Sequence, residues 1–144
     1  MKKKYFFVIL FLILSIIMSG CNGVVSPATD EAKIKSVIQN YGLALNDQNW
    51  SKAKSYCVYG SEAYYKVCVK EDLVNALSMY CNIITLTYYV DIISVDITGN
   101  YAQVYIHTTS LITACGYAED FDLYEYGYLQ KIGNDWKIYG GAQI

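Results

Sequence analysis

The chain has no arginine, one proline (Pro27) and one histidine (His107). Without guanidinium forks, and with a negative formal charge, it is a poor match for phosphate-rich partners, so nucleic-acid binding is excluded. Glycine-rich phosphate loops and the Gly-x-Ser-x-Gly nucleophile elbow are absent. No Cys-x-x-Cys pair occurs and a single histidine offers little to zinc, so neither a metal nor a cofactor is expected. The longest apolar run, residues 6–18 with Ser15 inside it, is shorter than the ~20 residues that span a bilayer.

That run follows Lys2, Lys3 and Lys4 and leads through Ser19 and Gly20 to Cys21. A basic start, a short apolar core and small residues before a break are the parts of a secretory signal. The ending Met18-Ser19-Gly20-Cys21 resembles the lipobox of bacterial lipoproteins, with Met18 in place of the usual leucine. The resemblance implies cleavage before Cys21 and lipid attachment to its thiol. An ordinary signal peptide ending near a cysteine is the plainer alternative. The expected organisation is a signal peptide over 1–20, a tether over 21–28 and one domain over 29–144, anchored by lipid to the extracytoplasmic side of the cell membrane. Losing the three signal lysines leaves 8 basic residues against 13 acidic, a net charge of −5.

Cys57, Cys68, Cys81 and Cys115 remain besides Cys21. Outside the cytoplasm four cysteines allow two disulfides. The expected pairs are Cys57–Cys68, closing a short loop, and Cys81–Cys115, with free buried thiols as the alternative.

Thr29 stands where a helix N-cap is needed, with Asp30 and Glu31 behind it. Ile34, Val37, Ile38, Tyr41, Ala44 and Leu45 form one apolar stripe at helical spacing. A second short helix is expected over residues 50–57 and a third around residues 71–80. The tyrosine-rich stretch 58–67 between them reads as loop or irregular helix. From Ile83 the period becomes alternating, and Gly99-Asn100 and Gly133-Asn134 are two-residue hairpin signals. With a looser turn at residues 116–119, four antiparallel strands follow, roughly 83–98, 101–115, 120–132 and 135–142. The fold class is α+β, helices packed on a bent four-stranded meander.

Two-residue turns fix cross-strand partners. Counting back from the turns puts Ile97, Val95 and Ile93 opposite Ala102, Val104 and Ile106, and Leu129 opposite Ile138, all on one apolar face. The same count places Tyr89, Asp91, Thr108, Ser110 and Glu125 in the middle of that face. Charges there need a solvated cavity or one another, which marks these five as a candidate pocket. Tyr105, His107, Tyr124, Tyr126 and Tyr128 fall on the opposite face as a candidate interaction surface. Asp122 is expected at the far end of the sheet, away from His107. Coplanar, solvent-facing rings there would suit a glycan; the plainer reading is β-forming tyrosines on a solvated sheet.

The order of helices then meander, the break at Asp47-Gln48-Asn49-Trp50 and the closing strand Trp136-Lys137-Ile138 are similar to the nuclear-transport-factor-2-like (cystatin-like α+β, SnoaL-like) superfamily. The resemblance implies a cone with a pocket between helices and sheet, and some members are isomerases or dehydratases with an acidic residue or an Asp–His pair inside. Two functional readings follow. One is a membrane-tethered, non-catalytic domain that binds a small ligand or a protein partner, a second copy of itself included. The other is a small pocket enzyme using Asp91 or Glu125 as general acid or base.

Overall fold

The computed structural model describes residues 29–141; the expected signal peptide, the expected lipid site Cys21 and the expected tether lie outside the described residues. Thr29 caps the first helix, its hydroxyl accepting from the Ala32 N–H at 3.2 Å. Helix α1 (Asp30–Asn46) buries Ile34, Ile38, Tyr41, Ala44 and Leu45 along the expected stripe. It ends where Gln48 takes a left-handed backbone (φ 51°), and Asn49 caps α2 (Trp50–Ser55) by accepting from Lys52 N–H.

Helix α3 (Glu62–Ser78) begins well before the position expected from the sequence, and takes in most of the stretch read as loop. Ser61 supplies the missing signal, accepting from Tyr64 N–H at 3.3 Å, with Glu62 in the first turn. Ala63, Val67 and Val74 then form a buried stripe. The ion pair between Lys54 and Glu71 ties α2 to α3.

Strands β1 (Ile84–Thr98), β2 (Tyr101–Ala114), β3 (Tyr117–Ile132) and β4 (Asp135–Gly141) form one antiparallel sheet in chain order. Gly99 and Gly133 turn the first and last hairpins with positive φ (59° and 64°), where a Cβ would be strained. The helices cover one sheet face, and Ile34, Ile38, Leu45, Val67, Val104, Ile106, Leu129 and Trp136 close the core between them.

Two polar contacts lock helix to sheet. The Asn46 side chain pairs with the Tyr88 backbone as a neighbouring strand would, accepting from its N–H at 2.6 Å and donating to its carbonyl at 3.1 Å. Stranding those part-buried groups would cost about 1–3 kcal/mol. At the other end of the sheet Asp30 accepts from Lys131 Nζ (2.8 and 3.0 Å) and from Trp136 Nε1 (3.1 Å).

The Lys131 and Trp136 hydrogen bonds hold the Asp30 carboxyl below its ordinary pKa. A carboxylate depressed in the folded state stabilises fully above the unfolded pKa, and that stability drains as pH falls through the folded value. Asp30→Asn is therefore expected to lower the urea midpoint near pH ~6, with the gap to the native protein closing towards pH ~2.5. A gap of constant size across that range would contradict the assignment.

Candidate functional site

Two register features decide which side chains meet. The first is a bulge in β1: Ile92 opposes Ile106 and Ser94 opposes Tyr105, so Ile93 is the extra residue. One inserted residue exchanges the faces of everything beyond it. Tyr88 opposes Ser110 and Val90 opposes Thr108, facing the helices, while Tyr89 and Asp91 turn outward. Tyr89 is 68% exposed and the Asp91 side chain 86%. Neither belongs to the pocket expected from the sequence. A trace of the bulge is visible in the chain, since the inward set Leu86, Tyr88, Val90, Ile92 resumes at Val95, a step of three.

The second feature is the β2–β3 turn. It uses only Cys115 and Gly116, both at positive φ (52° and 83°), so Ala114 opposes Tyr117. Compared with the looser turn expected, β3 slides by four residues along β2. An even slide keeps every side chain on its expected face but changes its neighbours. Glu125 therefore opposes Ile106 and lies diagonally from Thr108, whose direct partner is Leu123. The same slide brings Asp122 to His107.

Thr108, Ser110 and Glu125 stay on the helix-covered face, as expected. Thr108 and Ser110 are buried, and one carboxylate oxygen of Glu125 is buried beside them. Thr108 Oγ1 has no hydrogen-bond partner among the described residues. Three further groups lie near this floor: Tyr88, opposite Ser110 on β1, and Lys70 of α3 and Tyr41 of α1, both close enough to Glu125 to feel its charge. Lys70 Nζ lies 3.4 Å from the Tyr88 hydroxyl and 5.2 Å from its ring centroid. Burial, with Lys66 nearby, pulls the Lys70 amine below its ordinary pKa, while Glu125 opposes the shift. Burial likewise raises the Tyr41 and Tyr88 hydroxyls, helped at Tyr41 by Cys57, Tyr88 and Glu125. A groove of about 510 Å³ runs along α3, lined by Glu62, Tyr65, Lys66, Val69 and Lys70. Lys70 falls between Val67 and Val74 on the buried stripe of α3, which is the signal that could have nominated it.

The opposite sheet face holds Tyr105, His107, Tyr124, Tyr126 and Tyr128, as the alternation predicted. His107 Nε2 is 2.6 Å from Asp122 Oδ1, and Nδ1 is 3.8 Å from Asp91 Oδ2. His107 thus sits between two exposed carboxylates, correcting the expectation that Asp122 is remote. Its ring stacks on Tyr124 (centroids 4.3 Å, planes 9° apart), and Tyr105 packs on Tyr126 at 4.8 Å. Ring lies on ring, so the faces of a coplanar glycan platform are partly used up.

Cys81 and Cys115 form a disulfide, as expected. Cys57 and Cys68 do not; both are free. The Cys57 thiol points into the core against the Ala53 carbonyl (3.6 Å), and burial pushes its pKa up to about 12, so it is a poor thiolate.

No protein-family model matches the chain, nor does any curated protein. Solved structures do. A conserved protein from Planctomyces limnophilus aligns over 78% of this chain and 93% of its own (TM-score 0.63, 13% identity). An NTF2-like protein with a cystatin-like fold from Novosphingobium aromaticivorans aligns over 78% and 79% (TM-score 0.60, 13% identity). The fold is the NTF2-like α+β cone. A candidate dehydratase of the NTF2-like family from Streptomyces avermitilis is similar over 80% of this chain and 95% of its own (TM-score 0.59, 12% identity). At such identities the likeness speaks for the fold and for nothing finer.

In the denatured protein without reductant, Cys57 and Cys68 are expected to alkylate, and Cys81 and Cys115 only after reduction. Peptide mapping distinguishes this from a Cys57–Cys68 bridge, which would leave those two unlabelled.

Proposed function

We propose that this chain is a lipid-anchored extracytoplasmic domain that binds a small polar ligand inside its cone without transforming it. The anchor is Cys21, on the strength of the lipobox-like ending. The ligand reading is carried by one observation, the Thr108 hydroxyl: buried, with no partner among the described residues, on a floor shared with Ser110 and Glu125. An unmatched buried hydroxyl costs about 1–3 kcal/mol, and a ligand bringing a donor or acceptor to it recovers that cost on binding. Tyr88, opposite Ser110 on the same sheet face, and the Lys70 amine that reaches its hydroxyl would orient such a molecule.

A second reading has its own support. Glu125 near an amine of lowered pKa is a pair able to exchange a proton with a substrate, with the two neutral phenols serving as hydrogen-bond donors. In that reading Glu125 is the general acid or base; Asp91, on the outer face, has no part in it.

The test is native mass spectrometry of the protein extracted from the cell envelope. A bound small molecule is expected, lost in Thr108→Val, while the urea midpoint of that variant is unchanged or higher because the unmatched hydroxyl is gone. Loss of stability without any change in bound mass would show Thr108 to be structural only. If Glu125→Gln accumulates the bound molecule in chemically altered form relative to the native protein, the enzymatic reading replaces the binding one.

A further inference from the structure

The end of the molecule around the Cys81–Cys115 disulfide exposes a group of large apolar side chains. Met79, Tyr80, Ile83 and Tyr117 are 78%, 83%, 72% and 82% exposed. No charged residue occurs in residues 73–90 or 108–118, which carry these side chains. The α1–α2 loop reaches the same end, where Gln48 Nε2 donates to the Ile84 carbonyl at 2.9 Å, and brings the exposed Asp47 with it. The disulfide holds the two uncharged segments together, with the Cα atoms of Cys81 and Cys115 4.8 Å apart, and Ile84 pairs with Ala114 beside it. Large apolar side chains grouped this way on a single chain mark an interaction surface. A covalently stapled pair of loops also loses little further freedom on docking.

We propose that this tip dips into the interface of the membrane to which the chain is tethered, an inference that rests on the lipid anchor at Cys21. Its chemistry fits a bilayer surface: tyrosines suit the headgroup level, where their hydroxyls stay wet, and Met79 and Ile83 suit the acyl boundary below. The tether makes contact attainable. Residues 22–28 reach at most ~25 Å. They lead into α1 at the end of the sheet where Asp30 meets Lys131 and Trp136. The tip lies at the opposite end of β1, up to ~45 Å away along the strand. A chain held at one end by lipid and at the other by the tip would lie slanted against the membrane. Weak insertion suffices, because the anchor keeps the tip at high local concentration. The nearest charges on β3, Glu119 and Asp120, are acidic. Attraction to anionic headgroups is therefore not the driving force, and added salt, which screens the like-charge repulsion, should not weaken binding.

The experiment uses the lipidated protein in phosphatidylcholine–phosphatidylglycerol vesicles containing a doxyl-labelled phosphatidylcholine. Tyr80→Trp is compared with Tyr59→Trp, a site of 85% exposure at the turn before α3. The expected result is a blue-shifted emission from the indole at position 80, quenched at least twofold more than the indole at position 59. Met79→Asp plus Ile83→Asp is expected to abolish that quenching. A protein that floats with vesicles but shows equal quenching at both sites overturns the tip while leaving the anchor standing. A blue shift without quenching overturns it too, since the tip is then covered by protein, a second copy included. Failure to float at all removes the anchor, and the tip proposal with it.

Discussion

A strand presents successive side chains to opposite faces, and this period of two is the constraint on which the structure depends. Half of β1 obeys one phase and half the other, with the change at Ile93. Asn46 fixes the phase of the early half, since its amide can pair with Tyr88 only where that residue meets α1. With Tyr88 turned inward, the next outward positions are Tyr89 and Asp91. The contents of the cone and of the open face are thus consequences of one inserted residue.

The two polar assemblies that result differ in cost. Inside, burial holds an amine down, holds phenols up and leaves a hydroxyl unmatched, all expensive features that a packed core of the same shape would avoid. Outside, the His107–Asp122 and His107–Asp91 contacts lie among exposed carboxylates, where water and salt weaken them to little net worth. The inner assembly is therefore the better candidate for a selected site. The outer one reads as a polar, aromatic sheet surface stabilised by ring-on-ring pairs. The proposed anchor and tip would add a lengthwise polarity, with the N-terminus of α1 at one end of the sheet and the apolar loops around Cys81–Cys115 at the other.

Much of this was legible in the chain. Thr29, the α1 stripe and the two Gly-Asn turns gave helix, hairpins and the pairing of Leu129 with Ile138, because capping, periodicity and turn chemistry are local. Parity on β2 and β3 also survived, so Thr108, Ser110 and Glu125 were placed on the right face. The errors have physical causes. Cys115-Gly116 is a tight turn built with an unusual first residue, so the sequence points instead to the looser stretch after it, a register that separates Asp122 from His107. Ile93 is as good a strand former as its neighbours, and a bulge leaves no composition signal, only the three-residue step from Ile92 to Val95. Lys70 and Tyr88 entered the site through tertiary packing, which periodicity alone does not rank.

The phase change in β1 is the claim on which site and surface both rest, and cross-strand proton contacts test it directly. In a nuclear Overhauser spectrum of the labelled domain, backbone contacts between Tyr88 and Ser110 and between Val90 and Thr108 are predicted. Contacts pairing Tyr89 with Ser110 and Asp91 with Thr108 would mean an unbroken strand. Asp91 would then lie inside the cone, and the present assignment of the two faces would be wrong.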